Sequence, residues 1–89
     1  MLRIIENIKV DDSNVILMCE MQPLQVGKIV DDKYRDYIGH IVMRTASISK
    51  FEVMDLTKAC VDSCWSNMST IKVRLLGPDE VVHLEVYNS

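Results

Sequence analysis

Residues 55–67, DLTKACVDSCWSN, are the one stretch of this chain in which apolar side chains recur at helical rather than strand spacing. Leu56, Cys60 and Cys64 repeat at i, i+4 and i+8, and Thr57, Val61 and Trp65 form the adjoining row, so the two rows merge into one apolar stripe. Lys58, Asp62, Ser63 and Ser66 fall toward the other side. The spacing predicts a surface helix over 56–66 docked by one face. Asp55 is its expected N-cap, because a carboxylate there accepts from the exposed first-turn amides and faces the positive end of the helix dipole. Asn67 is the expected stop.

The rest reads as β-structure. Residues 2–10 alternate, with Leu2, Ile4, Ile8 and Val10 opposed to Arg3, Asn7 and Lys9, the pattern of a half-buried strand. The turn residues Asp11-Asp12-Ser13-Asn14 follow, and VILMCEM over 15–21 completes an expected hairpin. This second strand is apolar on both faces at first, which suits a central or doubly covered strand. Pro23 ends it. Residues 26–30 and 37–44 form a second expected hairpin around the charged connector 31–36, with Gly27 and Gly39 at positions where a strand bulges or bends.

Gly27, Lys28, Val30 and Asp31, followed by Ile38, Gly39 and Ile41, give a short piece that loosely resembles the G-K-x-V-x-D and I-G-x-V pattern of PRC-barrel domains. Residues 48–54 read as a further short strand, with Phe51 and Val53 alternating with Lys50 and Glu52; the alternative is an early start of the helix, because Val53 fits the helical stripe three residues before Leu56. After the helix, Ile71, Val73 and Leu75 oppose Lys72 and Arg74. The turn Gly77-Pro78-Asp79-Glu80 then leads to Val82, Leu84 and Val86 opposed to His83, Glu85 and Tyr87. This is the clearest hairpin pattern in the sequence, with Lys72 and Arg74 placed to pair with Glu85 across it.

The expected architecture is therefore a single α+β domain spanning residues 1–89. It is a bent, mainly antiparallel sheet or small open barrel of about seven short strands, covered by the 56–66 helix, in the order βββββαββ. At 89 residues such a domain removes only about 60–65% of its unfolded surface from water. The 48% hydrophobic content is ample for folding and lacks the signature of disorder.

Charge narrows the functions. The net charge is −3 with a pI near 5.2, and neither half of the chain is basic, which disfavours a nucleic-acid surface. Charges interrupt the first ten residues, and no apolar run approaches the roughly 18 residues of a membrane span. The three cysteines, Cys19, Cys60 and Cys64, are odd in number and lie among apolar neighbours. They read as reduced, buried thiols of a cytoplasmic protein rather than a disulfide framework.

No constellation of residues carries chemistry convincingly. Cys60 and Cys64 with His83 or Cys19 offer soft-metal donors, but both thiols lie in the core stripe of the predicted helix. A nucleophilic cysteine needs a base and an electropositive site at a helix N-terminus, which their positions do not offer. Asp31, Asp32, Asp36 and His40 form an acidic connector interleaved with Lys33 and Arg35, without the spacing of a calcium loop. His40 and His83 fall in opposite halves of the chain, with no serine in a nucleophile-elbow setting. The three isolated glycines make no phosphate loop, and the aromatics do not interleave with basic residues. The methionines read as core filling first and as an adaptable surface second.

The sequence thus assigns no catalytic, cofactor-binding or metal residue, no cofactor and no small-molecule substrate. It points to a non-catalytic cytoplasmic interaction or assembly domain that engages a protein partner or a second copy of itself. The alternatives are a barrel-type module of an RNA-processing or ribosomal complex, and a small metal or thiol protein using Cys60 and Cys64.

Overall fold

The computed structural model describes residues 2–31, 33, 35–47, 51–58, 60–62 and 70–86. They hold eight strands: β1 Leu2–Glu6, β2 Val15–Leu17, β3 Val26–Ile29, β4 Ile41–Arg44, β5 Val53–Asp55, β6 Cys60–Asp62, β7 Lys72–Leu75 and β8 Val82–Val86. A single 3-10 turn, Met18–Glu20, follows β2. All the strand pairs are antiparallel. Six strands form a sheet in the order β2-β7-β3-β4-β5-β6, and β1 pairs with β8 in a separate two-stranded ribbon. Among the described residues the six-stranded sheet is open, since β2 and β6 lie at its opposite ends and do not pair.

The α+β class, with order βββββαββ and a helix covering the sheet over 56–66, is overturned. Leu56, Thr57 and Lys58 form a turn, and Cys60–Asp62 is a strand returning antiparallel along β5. Ala59 and residues 63–66 of the expected helix lie outside the described residues. The capping signal was real, but it acts on a turn: the Asp55 Oδ1 carboxylate accepts from the Lys58 amide at 3.1 Å. Thr57, Cys60, Val61 and Asp62 are all weak helix formers. A stripe of such residues has little intrinsic drive to stay helical when the open edge of β5 offers a ladder instead.

Of the three expected hairpins, one forms. β3 and β4 pair through Val26↔Met43, Gly27↔Val42 and Lys28↔Ile41. The first and last do not. β1 pairs with β8 (Ile4↔Leu84), and β2 pairs with β7 (Ile16↔Val73). Segments 2–17 and 72–86 therefore run antiparallel beside each other from ribbon into sheet. At the corner between them, Asn7 Oδ1 accepts from the Val81 amide at 2.7 Å, and the Leu75 amide donates to the Asn14 carbonyl at 2.9 Å. The Gly77–Glu80 turn does form, with the Glu80 amide donating to the Gly77 carbonyl, but it sends β8 away to the N-terminal strand.

Strand alternation then sorts the residues into two faces. Ile16, Val73 and Ile29 lie in one row across β2, β7 and β3, and Leu75, Gly27, Val42 and Asp55 in the next. This face carries the core: Met18, Met21, Ile29, Val42, Val53, Ile71 and Val73 are buried, with Ile16, Tyr37, Phe51 and Leu75 packed against them. Burying each large apolar side chain stabilises the fold by about 1.5–3 kcal/mol. The opposite face carries a half-buried row of Val26, Met43 and Met54. Ile16 and Met18 thus belong to the chain's own core.

Candidate functional site

Two polar clusters are built into this frame. The first sits where β4 begins and β5 ends. Asp55 is 1% exposed, because its row places it on the core face at the sheet's end. Its Oδ2 lies 2.8 Å from His40 Nδ1, while Oδ1 holds the Lys58 amide. His40 turns Nδ1 to this carboxylate and leaves Nε2 on the far side of the ring. The Tyr37 ring meets His40 edge-on at a centroid separation of 5.6 Å, and Lys58 Nζ stands 4.3 Å over Tyr37. Thr57 Oγ1 accepts from the Ile41 amide at 3.0 Å.

An imidazole oriented by a buried carboxylate is one component of acid–base chemistry. The hydrogen bonds of the His40 ring among the described residues run to Asp55. What the pair does achieve is structural, since it ties the 37–40 turn and the 56–58 turn to the end of β5. In the sequence alone His40 reads as an isolated histidine and Asp55 as a helix cap. Their pairing follows from the β4–β5 register, which residue spacing does not reveal.

The second cluster fills the corner between ribbon and sheet. Arg74, 2% exposed, donates from Nη1 and Nη2 to the two Glu80 carboxylate oxygens at 2.7 and 3.0 Å, and from Nε to Asp11 Oδ1 at 2.9 Å. Nη1 also reaches the Leu75 carbonyl. Glu80 further accepts from the Lys9 amide at 2.7 Å and the Gly77 amide at 2.6 Å. Those two amide bonds, and then the guanidinium, hold the Glu80 carboxyl below its usual range. Asp11 is lowered to about 2, first by the Ser13 hydroxyl and then by Arg74. Asp11 above all raises Arg74. The expected pairing of Arg74 and Lys72 with Glu85 is not made: Glu85 lies opposite Arg3, and Lys72 is exposed.

The remaining candidates are scattered. Cys19 is exposed in the 3-10 turn, contrary to the expected buried thiol. His83 is exposed on β8 opposite Ile5. Cys60 lies in β6 at the register position across from Asp55, and Cys64 is outside the described residues. In the acidic connector Asp31 is buried with its Oδ1 accepting from the Lys33 amide, Asp36 is exposed, and Asp32 is outside the described residues. Among the described residues no three His, Cys, Asp or Glu side chains are grouped to hold a metal ion.

An open cleft of about 440 Å³ is bordered by Asp11, Asp12 and Asp31 together with Lys33 and Lys72. A smaller apolar groove of about 290 Å³ runs between Val10, Ile29, Val30 and Ile38. Among the described residues no helix is long and apolar enough to cross a membrane. Compared with known proteins, the chain matches no family model, no curated protein and no solved structure.

Proposed function

We propose that the chain is a non-catalytic protein-interaction domain that assembles, in the first instance, with a second copy of itself through the β1–β8 ribbon. The observation that carries this reading is the ribbon's incompleteness. β1 and β8 pair with each other and with no other strand among the described residues, and a lone two-stranded ribbon is marginal in water. Its five-residue strands keep their outer edges open, and such edges are templates for another strand. Both faces expose apolar side chains: Leu84, paired with Ile4, is 44% exposed, and Ile5, paired with His83 on the other face, is 41% exposed.

The anchoring of the ribbon supports its role as a presented element. Glu6 Oε1 accepts from Lys28 Nζ at 2.8 Å, fixing the end of β1 over β3. A two-fold pairing of ribbons would complete a four-stranded sheet and cover Ile5 or Leu84. Size-exclusion chromatography with light scattering tests this directly. A dimer that Ile5→Lys or Leu84→Glu converts to a folded monomer supports the reading, and a strict monomer over the full accessible concentration range sinks it.

A further inference from the structure

The ribbon's backbone pattern fixes which groups it turns outward. The Asn7 amide donates to the Val81 carbonyl at 3.4 Å, and antiparallel strands alternate bonded with non-bonded pairs. Ile5–His83 and Arg3–Glu85 therefore exchange hydrogen bonds inside the ribbon. Val82, Leu84 and Val86 turn their amides and carbonyls away from β1, and Leu2, Ile4 and Glu6 turn theirs away from β8. Neither outer row meets a third strand among the described residues.

The two edges differ in what a second copy would meet. With most of the strand overlapped, a two-fold axis between copies falls on His83, Leu84 or Glu85 of β8, or on Arg3, Ile4 or Ile5 of β1. An axis at Leu84 sets His83 opposite Glu85 of the second copy, and the symmetry repeats the pair. An axis at Glu85 opposes two carboxylates, which is destabilising, and an axis at His83 leaves Glu85 opposite Val81. No β1 register brings opposite charges together. Its axis at Ile4 pairs Arg3 with Ile5 and Leu2 with Glu6, and its axis at Arg3 pairs that residue with itself. Glu6 is also committed already, to Lys28 Nζ and to the Ile8 amide, each at 2.8 Å.

We propose that two copies of this chain join β8 to β8, antiparallel and with the two-fold axis at Leu84, so that His83 of each copy faces Glu85 of the other. The proposal rests on the reading of the ribbon as the self-associating element and names its edge and register. The Leu84 amides and carbonyls bond to each other across the axis. On one face the exposed Leu84 side chains meet and join Ile4 of each copy in a continuous apolar row. On the other, His83, exposed in the single chain, gains a carboxylate, while Arg3 stays opposite Glu85 within its own ribbon. A head-to-tail contact of β8 on β1 would not close and would leave an edge for further copies.

The test mixes full chains carrying His83→Cys with full chains carrying Glu85→Cys, both with Cys19→Ser, under mild oxidation, and maps the linked peptides by mass spectrometry. The expected product is the mixed dimer joined between positions 83 and 85. Directly opposite residues of a non-bonded pair lie about 4.5 Å apart at Cα, within disulfide reach, whereas like positions in this register lie about 8 Å apart, beyond it. Should either variant fail to fold, amide exchange of the unsubstituted chain reads the same edge. The Leu84 amide should slow by about tenfold once about nine-tenths of the chain is dimeric, and the Ile4 amide should not.

A dimer linked through position 83 alone or 85 alone, a dimer with no linkage at either, or protection of Ile4 in place of Leu84 would overturn this register. Light scattering reports the mass separately, so a dimer with the wrong linkage leaves self-association standing. A strict monomer overturns both.

Discussion

Replacing Gly27 by alanine puts one methyl group at the tightest backbone approach in the sheet. Gly27 lies in β3 between Val42 of β4 and Leu75 of β7. A Cβ built there meets Val73 Cγ1 well inside contact distance, the Arg74 carbonyl oxygen at 2.9 Å and the Arg74 carbonyl carbon at 3.4 Å. Neither neighbour has room to retreat. Val73 is 0% exposed, and the Arg74 backbone is held by ladders on both sides, to Val15 of β2 and Lys28 of β3. Overpacking of this kind costs about 1–3 kcal/mol, and the rigid surroundings argue for the upper half of that range. The lower unfolded-state entropy of alanine offsets about 0.4–1 kcal/mol.

The net loss is thus about 1–2.6 kcal/mol, which lowers Tm by roughly 4–21 °C in a domain of this size. Urea melts of the wild type and Gly27→Ala measure it. The cause can be separated from a general glycine effect by a double-mutant cycle with Val73→Ala, which deletes the obstructing methyl. The two changes should couple favourably by about 0.5–1.5 kcal/mol, with incomplete rescue because the Arg74 carbonyl remains. A Gly27→Ala variant as stable as the wild type, or a cycle without coupling, would refute the packing argument.

Three further outcomes follow from the polar groups. Asp11 and Glu80 titrate below their unfolded values of 3.8 and 4.5, so their contribution to stability is complete only above about pH 5. It is lost as pH falls toward 2, where the unfolded chain has already bound the protons. Asp11→Asn and Glu80→Gln should each flatten that acid limb in pH-dependent urea melts. His40→Ala leaves the buried Asp55 carboxylate without its imidazole and should cost about 1–3 kcal/mol. The double variant with Asp55→Ala should lose less than the sum of the singles, as a thermal-melt cycle will show. Cys19, exposed in the 3-10 turn, should be alkylated in the native protein as mapped by peptide mass spectrometry, and Cys19→Ser should change stability by less than about 0.5 kcal/mol.

Several strands were legible because alternation reports which residues face a core. The β3–β4 hairpin was legible for a further reason, since its glycines fall at the close approach and the bend: Gly27 lies against Val73 and Arg74, and Gly39 stands at φ +84. Partner choice was not legible. Val73 and Leu75 alternate with Lys72 and Arg74 in the same way whether β7 pairs with β8 or with β2 and β3. Gly77-Pro78 promises a turn without saying what the chain meets after it. Polar residues misled most: Arg74 and Glu80 look solvated in a linear pattern and become buried only because each brings the other's counter-charge. The 55–67 stripe failed for a related reason. Helical spacing shows what a helix would bury, but the residues filling it had little preference for that conformation. The candidate site was the least legible part, because the His40–Asp55 contact arises from register between segments.

The pairing of 2–17 with 72–86 also has a kinetic consequence. β7 lies between β2 and β3 in the sheet, so the strand that joins the early segments is among the last to be made. On a ribosome the neighbouring β3, β4 and β5 can associate first, but β1 and β2 must wait, apolar and unpaired, until most of the chain has emerged. Closing contacts of such high sequence separation is slow, and unpaired apolar strands are aggregation-prone in the interval. Folding of this domain should therefore be limited by the arrival of its second half, and a chain stalled before residue 72 would hold β1 and β2 without the strands they pair with.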